Sequence, residues 1–91
     1  MLRARVDSSQ GIIVAGLRAA GCSVELLHRV GRGCPDLLIG VNGMNGINIL
    51  LEIKAPGEGL NDRQVEWHAN WRGQVRVVRS LEEALRIVRG A

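Results

Sequence analysis

The sequence has no Phe and no Tyr, and Trp67 and Trp71 are its only large aromatics, so any core must be built from aliphatic side chains. Two cysteines, Cys22 and Cys34, stand far apart without paired His or further Cys. That excludes a disulfide framework and a Cys/His zinc site, and leaves two buried or half-buried thiols in a reducing compartment as the expectation. No apolar run approaches the ~20 residues of a membrane helix, and MLRARVDSSQ lacks an apolar signal core. The expected location is therefore the cytoplasm. There is no internal repeat, low-complexity tract or linker, and residues 1–91 read as one domain.

Lysine is nearly absent as well: Lys54 is the only one among 12 cations, the rest being Arg. Guanidinium groups match phosphate oxygens, so a net charge of +3 with this make-up points modestly toward nucleic acid, although a GC-rich genome would give the same excess.

Along the chain, residues 8–20 carry Gln10, Ile13, Leu17 and Ala20 on one helical stripe that Gly21 ends. Asp7 or a following serine is placed to cap it, and Asp7 with Gln10 has capping-box spacing. Three segments rich in aliphatic residues follow, SVELLHR, PDLLIGV and INILLEIK, separated by RVGRGC and NGMNG. Residues 60–71 return to helical period with Leu60, Gln64, Trp67 and Trp71 on one face. QVRVVR reads as a strand, and Ser80 with Glu83 as the capping box of a last helix turning Leu81, Leu85 and Val88 inward. The predicted order is α-β-β-β-α-β-α, an α/β fold with a mixed sheet flanked by helices.

Three ionisable residues interrupt the apolar strands. Strand residues alternate faces, so Glu52 and Lys54 point the same way, and Asp36 joins them if PDLLIG pairs with LLEIK. Buried and unpaired, each would cost several kcal/mol, so they must pair with one another or bind a cation. Two carboxylates plus a backbone carbonyl, that of Ile53, form the oxygen-rich partial shell that Mg²⁺ or Mn²⁺ prefers, with Lys54 left to stabilise developing negative charge. The alternative is a structural salt bridge of Lys54 with Asp36 or Glu52.

GCPDLLIG, LLEIK and LNDRQVEWHANWRGQVRVVRSLEEAL together resemble the PD-(D/E)xK nuclease superfamily, and in it the small stand-alone virus-type replication-repair nucleases (VRR-NUC domains) of phages and prophages. The resemblance runs from about Asp7 to Leu85. It implies a restriction-endonuclease-like core, a divalent metal, hydrolysis of DNA phosphodiesters, and a homodimer acting on branched DNA such as four-way junctions. Position by position, it implies Asp36 and Glu52 as the metal-binding acids, Lys54 as the E-x-K lysine, and Gln64 as the helix glutamine that precedes an aromatic, here Trp67. Where many relatives carry a Glu in the first helix, this chain has Gln10, an uncharged oxygen donor. That departure keeps an alternative open: a dimeric module that binds DNA structure and cleaves it weakly or not at all.

The remaining candidates are weaker. Arg29 and Arg32 flank a Gly-rich turn before Asp36, where they either approach a phosphate or are simply solvated. His28 and His68 read as surface or packing residues rather than ligands. Trp67 and Trp71 read as core packing rather than as base-stacking platforms.

Overall fold

The structure, a computed structural model, describes residues 2–43 and 46–90, with side chains from residue 9 onward. Its elements are α1 (Leu2–Ala19), β1 (Ser23–Leu26), β2 (Leu37–Val41), β3 (Ile47–Ile53), α2 (Asp62–Asn70), β4 (Val75–Val78) and α3 (Leu81–Arg89). The order matches the expected one. The strands form a single sheet ordered β1-β2-β3-β4, antiparallel until the parallel β3–β4 pair, which α2 connects.

Alternation along the strands sorts the two faces. Leu37 and Ile39 of β2, Ile49 and Leu51 of β3 and Val78 of β4 join Ile13 and Leu17 of α1 and Ala84 and Val88 of α3 in one buried cluster. Each such side chain removed from water contributes about 1.5–3 kcal/mol, so this aliphatic layer carries most of the stability. The neighbouring residues Leu38, Leu50 and Glu52 lie on the opposite face, which α2 covers together with the loop that carries Val30 and Cys34. No helix among the described residues is long and apolar enough to cross a membrane.

Three expectations are corrected. The first helix begins at Leu2, not near Asp7, because nothing in LRARV breaks a helix and Ala, Leu and Arg favour one. Asp7 therefore lies inside the helix and cannot cap it; its side chain is outside the described residues. The β1 strand stops at Leu26 rather than running to Arg29, since Gly31, Arg32 and Gly33 all adopt positive φ (72°, 58° and 85°) and turn the chain back. The last helix has Ser80 as its cap, with the hydroxyl accepting from the Glu83 amide. The Glu83 carboxylate reaches past Ser80 to accept from Arg79 N (2.6 Å), so the capping box is only half formed.

The cap of α2 is complete and was not anticipated. Asn61 Oδ1 accepts from Gln64 N and Gln64 Oε1 accepts from Asn61 N, both at 2.9 Å, which starts the helix at Asp62 rather than Leu60. Gly33 lies directly against this first turn. A Cβ built there would collide with the carbonyl of Arg63 and come within 3.0 Å of Gln64 N, at a φ that side chains rarely adopt. Gly33→Ala should therefore lower stability by about 1–3 kcal/mol, read as a lower urea midpoint. An unchanged midpoint would mean that the loop and α2 are not held together.

Candidate active site

Asp36 lies just before β2, and its backbone already belongs to the sheet: its N–H donates to Leu51 O (3.0 Å) and its carbonyl accepts from Leu27 N (2.8 Å). Its side chain turns toward β3, where Oδ2 accepts from Ile53 N at 2.7 Å. A charge-assisted bond of that length fixes the carboxylate beside Glu52. The register places Leu37 opposite Leu51, so Asp36 and Glu52 share the face away from the aliphatic core, as the alternation required.

Glu52 is the centre of the group. It is 2% exposed, on a strand with neighbours on both sides. Gln64 Nε2 of α2 donates to its Oε2 (3.3 Å), and His68 Nε2, one helical turn on, stands 3.5 Å from its Oε1. Among the described residues, neither Glu52 Oε1 nor His68 Nε2 has a hydrogen-bond partner. Burial, then the hydrogen bond and charge of Asp36, push the Glu52 carboxyl up to about 8, with Lys54 opposing only in part. His68 shifts the other way, because burial and the nearby Lys54 both disfavour its charged form.

Lys54 is buried to the same depth, its side chain 8% exposed. Its ammonium is 3.7 Å from Glu58 Oε2, and Glu58 is held in turn by the Ala55 amide at 2.9 Å. Among the described residues Lys54 forms no ion pair with Asp36 or Glu52, so the alternative of a structural salt bridge between them is not what the fold builds. Glu58 was not singled out in the sequence; its spacing from the only lysine was the available signal. His68, expected as a surface or packing residue, follows Gln64 at helical spacing and so shares its face against Glu52.

Gln10 is half-buried on α1, which packs on α3 and β1, and among the described residues it makes no hydrogen bond with Asp36 or Glu52. Its alternative role as capping partner of Asp7 is removed by the earlier helix start. Arg29 and Arg32 are exposed on the loop that leads to Asp36, and His28 is exposed nearby. Trp67 and Trp71 are not core residues. They stack on each other (centroids 4.7 Å apart, 19° between planes), with Trp71 46% exposed, and line a cavity of about 580 Å³ with Val30, Cys34, Leu38 and Leu50. This cavity continues the site along β3, since Leu50 precedes Glu52 by one same-face step. Both cysteines are free and half-buried. Burial, followed by the charges of Glu52 and Asp36, pushes the Cys34 thiol up, which keeps it protonated near neutrality.

Among the described residues no three His, Cys, Asp or Glu side chains are grouped so as to hold a metal by themselves. The two adjacent carboxylates and the orphaned Glu52 Oε1 do fit a hard cation that takes its other ligands from backbone, water and phosphate. Compared with known proteins, the chain matches no family model, no curated protein and no solved structure.

Glu52 makes stability depend on pH. Its carboxyl titrates near 4.5 when unfolded and near 8 when folded, so the stability tied to its proton is full below 4.5 and is lost as pH rises through 8. His68 opposes this only below its ordinary 6.5, which leaves pH 7–8.5 as the clean window. Without divalent ions Tm should fall across that window, and Glu52→Gln should flatten the fall. An equal slope in both proteins, measured by calorimetry, would remove Glu52 as its source.

Proposed function

We propose that this chain is a divalent-metal-dependent DNA endonuclease of the VRR-NUC type, with a restriction-endonuclease-like core. The observation that carries the reading is the convergence of Asp36, Glu52 and Lys54 on one buried sheet face, with a carboxylate oxygen unpartnered and the ammonium paired to neither acid. A chain that needed these residues only for stability would gain as much from apolar ones in their place, because a buried ion pair seldom outperforms a well-packed hydrophobic alternative.

Asp36, Glu52 and the Ile53 carbonyl would hold Mg²⁺ or Mn²⁺. When bound, that ion supplies a more acidic water and neutralises charge on a phosphodiester. The residues of the chain do the rest. Asp36 is oriented by the Ile53 amide and Glu52 by Gln64, so neither carboxylate needs to reorganise. Lys54, tethered by Glu58, presents a fixed positive charge to the phosphate oxygens and to the attacking water. Exposed Arg29 and Arg32 contact backbone phosphates on the approach to Asp36. The resemblance brings with it a homodimer, whose two-fold related sites suit symmetric cuts in a four-way junction.

A panel of linear, flap and four-way-junction DNAs, incubated with and without Mg²⁺ or Mn²⁺, tests the reading. Cleavage should require the metal and fall on the order of 10²-fold or more in Asp36→Ala and in Lys54→Ala, with the circular dichroism spectrum kept. Undiminished cleavage by either variant would overturn the assignment, and binding without any cleavage would leave the DNA-binding module.

A second test concerns the loop. Arg32 has φ 58°, a conformation that Asn also tolerates, so Arg32→Asn removes the charge without adding backbone strain. In Ca²⁺, the slope of log affinity against log salt should drop by about one for this single contact. An unchanged slope would make Arg32 a solvated residue.

A further inference from the structure

The least explained atoms in the molecule are the two that face each other across the site. Glu52 Oε1 and His68 Nε2 are both buried, both without a hydrogen-bond partner among the described residues, and 3.5 Å apart. That separation is long for an N–H···O hydrogen bond, which spans about 2.7–3.2 Å. An octahedral ion between them, with bonds of about 2.0–2.2 Å, would hold the two donors roughly 3.0 Å apart at a right angle, so a closure of about half an ångström would seat both atoms on it. Unlike a chance approach, this one is set by the helix. Gln64, locked by the Asn61 cap, occupies the other oxygen of Glu52, which leaves Oε1 for the residue one turn later on the same face.

We propose that His68 is a nitrogen ligand of the divalent ion that Glu52 holds, and that it makes the centre select Mn²⁺ over Mg²⁺. Both ions favour oxygen, but Mn²⁺, at the low end of the first-row transition series, accepts an imidazole nitrogen more readily than Mg²⁺ does. The inference rests on the nuclease reading for the presence of an ion and extends it to which ion is taken. With Glu52, His68 supplies the ion one oxygen and one nitrogen, the other ligands coming from backbone, water and phosphate, since no three His, Cys, Asp or Glu side chains among the described residues are grouped to hold a metal by themselves.

The test uses the full chain, with Mn²⁺ and Mg²⁺ as probes and no DNA. Calorimetric titration should give tighter binding of Mn²⁺ than of Mg²⁺ by tenfold or more, and pulsed electron paramagnetic resonance of the Mn²⁺-loaded protein should show the ¹⁴N coupling of a bound imidazole. In His68→Ala the coupling should vanish and Mn²⁺ affinity fall by about 10- to 100-fold, while Mg²⁺ affinity stays within about threefold. His68→Gln, which fills the same space and can still donate to Glu52, should behave like His68→Ala. Recovery of wild-type Mn²⁺ affinity in His68→Gln, or an equal loss for both ions, would make His68 a residue that only positions Glu52 and would overturn the inference. Mn²⁺ binding without nitrogen coupling in the wild-type chain overturns the inference alone, and failure of the wild type to bind either ion overturns the nuclease reading with it.

Discussion

A carboxylate with almost no contact with water sits on β3, between two neighbouring strands and beneath a helix, and the rest of the site is arranged around the cost of keeping it there. Isolated burial of Glu52 would cost several kcal/mol. The structure answers with a proton held up to about pH 8, an amide donor from Gln64 and a neighbouring lysine, yet it leaves one oxygen without a partner. Asp36 makes the burial harder, since its charge and hydrogen bond raise the same pKa. Two acids are thus held together against their mutual repulsion, with a donor deficit on one side, and that environment favours the proton on Glu52 over its loss.

The alternation of LLEIK and PDLLIG was enough to place Asp36, Glu52 and Lys54 on one face, because strand geometry fixes the direction of every second side chain. The order of elements was legible for a similar reason: aliphatic runs, turn residues and the Ser80 cap are local signals. What could not be read depended on contacts distant in sequence. Nothing local says that His68 meets Glu52, that Trp71 lies half open beside a cavity, or that Gly33 presses on the backbone of Arg63. The misplaced start of α1 has a different cause, since Asp7 and the serines look like caps wherever they occur, and only the helix-favouring residues before them argued otherwise.

The pairing of Lys54 turns on a neighbour that strand alternation does not reveal. Alternation puts Lys54 on the face of Glu52 and leaves a structural salt bridge with Asp36 or Glu52 open as the alternative. In the fold the ammonium turns to Glu58, which the Ala55 amide anchors just after β3. The lysine is thereby oriented without neutralising the acids, and the acids keep their capacity to attract a cation. Three charges that cancelled one another would be stable and inert.

The two faces of the sheet divide the work. The face under α1 and α3 carries the buried aliphatic cluster that holds the domain together, whereas α2 buries none of its own residues. Its attachment comes from the Gln64 bond to Glu52, the close approach of Gly33 to its first turn, and the stacked Trp67 and Trp71 over Leu38 and Leu50. Docking of α2 and assembly of the site are therefore largely the same event. A helix held by polar contacts to a buried acid is sensitive to the state of that acid, so loss of the Glu52 proton would bear on the seating of α2, and with it on the cavity that the tryptophans line.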